Sequence, residues 1–283
     1  MNTLKMVVKR LPVIREVVTV AIRFKRAFGY FTGPLRELIV WLFKSRETTN
    51  FTYDLTPINK CYLAALIADI TGNKYDRVAS YIAELEDDKE LRAHIRAITQ
   101  TSDERLFADL DARYGRRLGW YAFVRATKPK IVIETGVDKG LGSCVITAAL
   151  RRNDQEGYAG YYYGTDINPR AGYLLSGVYR KYGEILFGDS LTSLENLDKT
   201  VDLFINDSDH SASYEEKEYE VVSKRASPQA IFLADNAHVT DKLFKFSLAT
   251  GRQFIFFSEK PYRHWYPGEG IGIAFRRNLK ASA

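Results

Sequence analysis

The feature that most constrains the fold is an alternation of short apolar runs with helical segments after Pro129. The apolar runs are "KIVIETG", "YYYGTD", "EILFGD", "VDLFIND", "AIFLADN", "QFIFFSE" and "IGIAFRR". Segments with helical spacing separate them near residues 141–152, 169–182, 213–225 and 240–250, and a further short helix follows "EILFGD". Strands that alternate with helices in this way predict βαβ units and a mostly parallel sheet of the α/β class.

Before residue 128 the pattern is helical and contains no strand signal. The helical segments are "PINKCYLAALIADIT", "YDRVASYIAELED", "KELRAHIRAIT" and a run that starts at the capping sequence "TSDE" and continues through "WYAFVRAT". We therefore predict three parts. They are a basic amphipathic leader over 1–50, a helical lid or cap over 51–128, and the α/β domain over 129–283.

The leader is the basic part of the chain. Residues 1–50 carry a net charge of +7, and the remainder carries −1. A nearly neutral remainder argues against nucleic acid as a substrate. The segment "VIREVVTVAIRFKRAF" predicts an amphipathic helix, "GYFTGP" predicts a break, and Pro34 begins a second helix. Residues 1–45 are expected either to lie on an anionic membrane surface or to act as a packing or homo-oligomerisation arm.

The cysteines and the hydropathy indicate the compartment. Cys61 and Cys144 are far apart, fall in predicted helices and lack metal or redox spacing, so we expect two reduced core thiols in an intracellular protein. No segment has the length of uninterrupted apolar sequence that a membrane span needs, and no signal-peptide pattern is present. The expected location is cytoplasmic, with peripheral contact at the inner membrane surface as the alternative.

Glycines follow the first predicted strand of the α/β region, in "ETGVDKGLGS". Gly136 and Gly140 permit a tight turn and a close approach of backbone to a ligand at the start of the next helix. Their spacing differs from that of dinucleotide-binding turns, which favours another adenosine-containing ligand. The alternative is a purely structural turn.

Acids end the next strands. Asp166 in "GTDINP" is suited to accept hydrogen bonds from both hydroxyls of a ribose. Asp189 or Ser190 in "FGDS" is placed to meet an adenine edge.

With these motifs, residues 130–277 resemble the class I S-adenosylmethionine-dependent methyltransferases, and among them the metal-dependent O-methyltransferases of the catechol and macrocin type. The resemblance rests on "IVIETGVDKGLGS", "GTDINP", "FGDS", "LFINDSDHS" and "FLADNAH". It implies a Rossmann-like, mostly parallel seven-stranded sheet with helices on both faces. It also implies that S-adenosylmethionine is bound by residues in the first three strand ends, which are Glu134, Gly136, Gly140, Ser143, Asp166, Asp189 and Ser190.

The same resemblance implies a Mg²⁺ site, or a site for another divalent cation, with Asp207, Asp235 and Asn236 as ligands. Carboxylate and amide oxygens suit this hard ion, which would acidify a substrate hydroxyl and orient its oxygen toward the methyl group. His210 stands where catechol-type relatives have a lysine, and it is the candidate general base. The alternative roles of His210 are a helix cap and an outer-shell partner of a metal ligand.

Two other residues near these motifs have competing interpretations. Asp209 is a rival of Asp207 as a metal ligand, or else it caps the next helix. His238 follows the Asp-Asn pair and is expected either to contact substrate or to be an ordinary surface residue. The glycine turn also departs from the catechol-type pattern, because Ser143 stands one position later than the serine of those enzymes.

The loop "EKPYRHWYPGEGIG" supplies aromatic candidates for substrate contact, namely Tyr262, His264 and Trp265. The alternative is aromatic packing beneath a long loop. These residues favour a sugar, a lipid-linked sugar or another vicinal diol as the small-molecule acceptor.

Three functions remain open from the sequence. The first is a magnesium-dependent O-methyltransferase. The second is a metal-independent methyltransferase that acts on nitrogen or carbon. The third is a non-catalytic module that binds an adenosyl ligand and is docked by its basic leader.

Overall fold

The computed structural model describes residues 12–49, 52–235 and 237–277, with side chains described from residue 15 onward. The helices are α1 Pro12–Lys44, α2 Pro57–Thr71, α3 Tyr75–Glu86, α4 Lys89–Thr101, α5 Arg117–Thr127, α6 Leu141–Gln155, α7 Ser190–Asn196, α8 Ala212–Ser223 and α9 Lys242–Ala249. The strands are β1 Asp54–Leu55, β2 Ile131–Thr135, β3 Tyr161–Asp166, β4 Gly183–Phe187, β5 Val201–Asn206, β6 Ala226–Ala234, β7 Gln253–Ser258, β8 Pro261–Tyr262 and β9 Gly270–Phe275.

The main sheet confirms the predicted α/β class and all seven strands of the prediction. Its order is β4-β3-β2-β5-β6-β9-β7, in which only β9 runs antiparallel to its neighbours. The chain leaves β2 toward β3 on one side and returns to β5 on the other. The order therefore reverses between β2 and β5, and in open α/β sheets the ligand crevice lies at the carboxyl ends of the strands at such a reversal.

The core of the sheet is aromatic on the side of α8. Phe204 of β5, Tyr219 of α8 and Phe232 of β6 are almost wholly buried and meet edge to face, with ring centroids 5.8 to 6.4 Å apart. Edge-to-face rings of this kind add to the stability that comes from burying their area. They fix α8 against the two strands that lead to the site.

The prediction of a helix over 169–182 was wrong. The segment forms turns and ends in a short 3₁₀ helix, Tyr179–Tyr182. Gly172 has φ +71°, which a right-handed helix excludes, and its N–H donates to the carbonyl of Asp138 at 2.6 Å. The segment is therefore held by the loop that follows β2.

The predicted break at "GYFTGP" was also wrong, because α1 continues through Pro34. Proline removes one backbone donor from a helix, but the apolar residues keep their helical spacing on both sides of it, at Phe31 and Leu35. Helix α1 and Arg263–Pro267 form one compact unit. Arg46–Tyr262 together with the chain from Gly268 onward forms a second unit.

The helical region before the sheet departs from the prediction in three places. The last predicted helix is interrupted, because a 3₁₀ turn Asp103–Leu106 and an irregular segment precede α5. A two-stranded antiparallel sheet of β1 and β8 was missed. Cys144 is buried as predicted, but Cys61 is exposed, since it lies off the face of α2 that carries Leu63 and Ile67. The proposed domain boundaries stay predictions.

Candidate active site

The carboxyl ends of β2, β5 and β6 are joined by backbone hydrogen bonds. The N–H of Asp207 donates to the carbonyl of Thr135 at 2.9 Å, and the N–H of Asp235 donates to the carbonyl of Asn206 at 3.0 Å. A cavity of about 680 Å³ opens at this edge. Its lining includes Arg116, Gly136, Asp166, Asn168, Asp189, Ser190, Asp207, Ser208, Asp209, His210, Asp235 and Glu269.

The glycine turn after β2 requires a residue without a side chain. Gly136 has φ +81°, and a Cβ there would lie 1.9 Å from the carbonyl oxygen of Asp207. Its N–H donates to the carbonyl of Thr165 at 2.9 Å. The turn is thus held between the ends of β3 and β5, with its backbone on the cavity wall.

Asp166 lines the cavity and also organises this turn. Its Oδ2 accepts hydrogen bonds from the N–H groups of Val137 at 3.1 Å and Asp138 at 3.0 Å, and its Oδ1 accepts from Asn168 at 2.8 Å. Carboxylate oxygens have about four acceptor positions, so further positions remain for a ligand. The predicted contact with ribose stays a prediction.

Glu134, Gly140 and Ser143 are not among the described residues that line the cavity. Glu134 is 1% exposed, accepts a hydrogen bond from the Tyr162 hydroxyl, and lies 3.5 Å from the Ser143 hydroxyl. Burial raises its pKa to about 7. Gly140 begins α6 with φ +91°. Their predicted role in binding S-adenosylmethionine stays a prediction. The Glu134 carboxylate contacts α6 through the Ser143 hydroxyl.

Asp189 and Ser190 follow β4 at the start of α7. Asp189 is exposed and caps α7, where it accepts from the Thr192 N–H at 2.8 Å, and it also accepts from the Tyr214 hydroxyl at 2.7 Å. The hydrogen bond from the Thr192 backbone and the one from Tyr214 lower its pKa. Ser190 is buried and donates to Glu218. Both line the cavity, and the adenine contact stays a prediction.

Glu218 of α8 connects several of the strand ends, and sequence reasoning missed it. Its carboxylate is fully buried and accepts hydrogen bonds from Thr135, Ser190, Asn206 and Ser208. A signal was available, because Glu218 occupies the same helical face as the buried Tyr219 and Val222. A carboxylate on a buried helical face requires partners, and here those partners are residues at and just after the ends of β2, β4 and β5.

Replacing Glu218 with glutamine is expected to flatten the dependence of stability on pH. Burial raises the pKa of Glu218 to about 7, so its contribution to stability is present below the pKa of about 4.5 in the unfolded chain and is lost as pH rises through 7. Between pH 5 and pH 8 the native chain should lose more free energy of unfolding than the variant, by on the order of 3 kcal/mol. Urea denaturation at a series of pH values measures this.

The control is Glu216→Gln on the exposed side of the same helix, where the carboxylate pairs with Lys242 at 2.7 Å. This variant should keep the pH dependence of the native chain. If the free energy of unfolding depends on pH with the same slope in the native chain and in the Glu218 variant, Glu218 is charged throughout this pH range.

Asp207 and Asp235 meet at the centre of the site, and each pairs with Arg116. Arg116 precedes α5 and is 3% exposed. Its guanidinium contacts Asp235, lies 3.9 Å from Asp207, and donates to Glu269 at 3.1 Å. Burial, followed by the charge of Asp235, raises the pKa of Asp207. Sequence reasoning missed Arg116, because nothing in "YGRRLGW" connects it with strand ends more than ninety residues away.

The carboxylates are of a chemistry that suits a divalent cation, but the described residues do not form a complete metal site. Three carboxylates, from Asp207, Asp235 and Glu269, share the Arg116 guanidinium, and Arg117 on the cavity wall adds a second positive charge. A negative excess remains, and oxygen donors of this kind suit Mg²⁺. Among the described residues no group of three or more His, Cys, Asp or Glu side chains could hold a metal ion. The third predicted ligand, Asn236, lies outside the described residues.

His210 and Asp209 lie on the cavity wall, whereas His238 is not among the described residues of the lining. His210 is exposed and lines the cavity beside Asp207. Asp209 also lines the cavity, and its Oδ1 accepts from the N–H of Ser211 at 2.8 Å. His238 is exposed and is not among the described residues of the cavity lining. The catalytic role of His210 and the substrate contact of His238 stay predictions.

The aromatic candidates lie in both units. Tyr262 belongs to β8, pairs with Asp54 and is 45% exposed. Trp265 packs against Trp41 of α1, with ring centroids 5.3 Å apart, and stacks with His264 at 5.6 Å. Their predicted contact with substrate stays a prediction.

Comparison with known proteins gives a family match over part of the chain. Residues 133–237 match the family model described as a methyltransferase domain. No protein of curated function matches the chain in sequence.

Solved structures of methyltransferases are distantly similar. The SAH-bound methyltransferase PaMTH1 of Podospora anserina is 14% identical over 72% of this chain and 95% of its own, with a TM-score of 0.47. The O-methyltransferase TomG of Streptomyces achromogenes is 15% identical over 68% and 91%, with a TM-score of 0.48. A methyltransferase of Geobacter sulfurreducens is 19% identical over 71% and 98%, with a TM-score of 0.47. The fold assignment therefore rests on the strand order of the chain itself.

Proposed function

We propose that this chain, whose residues 133–237 form a methyltransferase domain, transfers a methyl group from S-adenosylmethionine to a hydroxyl oxygen of a small molecule, with the aid of a divalent cation. The observation that carries the proposal is the meeting of Asp207 and Asp235 beside the Gly136 turn, where the strand order reverses. A carboxylate pair at that point has little use in a purely structural loop.

The cavity suits the methyl donor. Its volume of about 680 Å³ lies within the range of about 300–1,000 Å³ that is typical of ligand sites. Gly136 leaves the backbone open to the ligand, and Asp166 and Asp189 supply acceptors for ribose and adenine donors. S-adenosylmethionine brings an electrophilic methyl group on a cationic sulfur, which the excess of carboxylates at this edge favours.

Side chains of the protein would then bind the acceptor hydroxyl and take up its proton. Asp207 and Asp235 would hold the cation, with Asn236 as the predicted third ligand. A Mg²⁺ ion at that position would lower the pKa of a hydroxyl and stabilise the negative charge of its oxygen. His210 lines the same cavity as Asp207, and its imidazole is the proposed acceptor of the hydroxyl proton.

The lining favours a polyhydroxylated acceptor. Asn168, Ser208, Asp209 and Glu269 place amide, hydroxyl and carboxylate groups on the cavity wall. Groups of this kind can pair with neighbouring hydroxyls in addition to their contacts within the protein, whereas a flat apolar ring offers them no hydrogen bond. We therefore propose a sugar, a lipid-linked sugar or another vicinal diol as the acceptor class.

A metal-independent methyltransferase is the second candidate, and one observation favours it. Arg116 already brings a positive charge into contact with Asp235 and within 3.9 Å of Asp207. A guanidinium in that position can neutralise the two carboxylates and orient an acceptor without a metal ion.

Turnover assays with chelator distinguish the two candidates. Methyl transfer from S-adenosylmethionine to a panel of vicinal diols, followed as formation of S-adenosylhomocysteine, should fall at least ~10-fold in EDTA and recover with Mg²⁺. Calorimetric affinity for S-adenosylmethionine should change little in EDTA, because the predicted cofactor contacts lie at other strand ends. Acceptors in which one of the two hydroxyls is removed serve as matched controls.

Unchanged turnover in EDTA, after metal analysis shows that the protein is free of divalent ions, would favour the metal-independent candidate. Transfer to an amine or carbon acceptor alone would exclude the proposed reaction.

A further inference from the structure

Helix α1 presents a long apolar stripe to solvent. The stripe consists of residues that follow one another at intervals of three or four along the helix and are 45% to 65% exposed. They are Val17, Val20, Phe24, Phe28, Phe31, Leu35, Ile39 and Leu42. This spacing places them all on one face of an α-helix. An exposed apolar patch of this length marks a surface that binds a partner.

The charges on α1 have mainly one sign. Its described side chains include the basic residues Arg15, Arg23, Lys25, Arg26, Arg36 and Lys44 and the acidic residues Glu16 and Glu37. Basic residues therefore accompany the apolar stripe up to residue 26 and from residue 36 onward, with none between them. This arrangement is complementary to a negatively charged surface.

The composition of the stripe favours a lipid surface over a second copy of the chain. Paired helices prefer Leu, Ile or Val in the seam and charges of both signs beside it. Here the middle of the stripe is aromatic, at Phe24, Phe28 and Phe31, and Phe24 stacks on Phe28 with ring centroids 5.3 Å apart. A second copy would bring like charges together across the seam, whereas anionic headgroups would neutralise them.

The length of the helix indicates how it would bind. A helix of 33 residues extends for roughly 50 Å. Within the described ranges, no helix combines the length and apolar content that a membrane crossing requires. Trp41 and Trp265, which pack together at the carboxyl end of α1, are of the residue type that concentrates at membrane–water boundaries.

We propose that α1 is a membrane-surface anchor, which lies in the plane of an anionic bilayer. The apolar stripe, with Phe24, Phe28 and Phe31 at its middle, would enter the acyl boundary, and the basic residues would lie among the headgroups. The anchor would hold the chain at a lipid surface. This proposal is independent of the proposed reaction, because the apolar stripe and the charges of α1 carry it.

Liposome sedimentation of the full-length protein tests the anchor. Vesicles of phosphatidylcholine with about 30% phosphatidylglycerol should bind the protein at least ~10-fold more strongly than vesicles of phosphatidylcholine alone, and 0.5 M NaCl should remove most of this difference. The triple variant Phe24→Ser, Phe28→Ser, Phe31→Ser should lose at least ~10-fold in partitioning, since it removes the aromatic area that the acyl boundary would bury.

The matched control replaces exposed apolar residues of α1 that lie off the stripe, as Ile22→Ser, Tyr30→Ser, Val40→Ser. It should bind vesicles within about threefold of the native protein. Circular dichroism and S-adenosylmethionine affinity check that both variants are folded. Equal loss in the two variants, or equal binding to neutral and anionic vesicles, would overturn the proposal. A dimer that only the stripe variant dissociates, without vesicle binding, would instead identify a second copy as the occupant.

Discussion

Replacing Asp235 with asparagine is expected to lower the rate of methyl transfer at least ~100-fold, because even outer partners of metal ligands contribute about 10–100-fold. Asparagine keeps the shape of the side chain and removes its charge. Asp235 is 2% exposed and contacts Arg116, so no bulk water replaces the lost charge. Affinity for S-adenosylmethionine should stay within about threefold of the native value, since Asp235 follows β6 while the predicted cofactor contacts follow β2, β3 and β4.

Steady-state assays of turnover and calorimetric titration of S-adenosylmethionine measure the two parts of this prediction. Asp241→Asn is the matched control, because Asp241 is exposed and pairs only at the surface with Lys245, at 2.8 Å. Asp209→Asn tests the rival ligand. A normal rate for the Asp235 variant together with a slow Asp209 variant would move the cation to Asp209.

The strands and their ends could be predicted from the sequence because the signal is local. Apart from "IGIAFRR", each apolar run that reaches the sheet leads within a few residues into Gly, Asp or Ser, as in "IVIETG" and "LFINDS". Parallel strands expose their carboxyl ends at one edge, so Asp166, Asp189 and Asp207 were expected there together. The antiparallel pairing of β9 between β6 and β7 depends on contacts across the sheet, and the sequence carries no local sign of it.

The partners of the carboxylates could not be predicted in the same way. Arg116 reaches Asp235 and Glu269 from the position just before α5, over more than one hundred residues of sequence. Glu218 reaches the strand ends from α8, and only its place on a buried helical face gave a local sign. Long-range ion pairs follow from tertiary packing, and neither hydrophobic periodicity nor motif spacing in the sequence predicts them.

The two helix errors have opposite causes. Helical periodicity at 169–182 was outweighed by backbone constraint, since Gly172 adopts positive φ and bonds to the loop after β2. At Pro34 the reverse holds, because the apolar stripe continues in register and the helix accepts the loss of one hydrogen bond. At 169–182 contacts beyond the local pattern decided the outcome, whereas at Pro34 the helical periodicity outweighed the local signal for a break.

Replacing Arg116 with methionine is expected to lower the free energy of unfolding by about 3–5 kcal/mol, because it removes the shared partner of a buried charge cluster. The guanidinium side chain is 4% exposed, and it pairs with Asp207, Asp235 and Glu269. Methionine fills a similar volume, so the loss reports the uncompensated carboxylates more than a cavity. Urea denaturation in EDTA measures the change.

Arg277→Met is the control for the loss of an arginine, since Arg277 pairs with Asp69 at 2.8 Å where both side chains are more than half exposed. It should cost less than about 1 kcal/mol. The Arg116 variant also tests the proposed cation site. Removal of the guanidinium leaves more uncompensated negative charge around Asp207 and Asp235, which a bound cation would neutralise. Mg²⁺ should therefore raise the melting temperature of Arg116→Met more than that of the native chain. An equal rise in melting temperature in both proteins, or no rise in either, would show that Arg116 does not influence a cation site. The guanidinium would then remain the principal positive charge among these carboxylates.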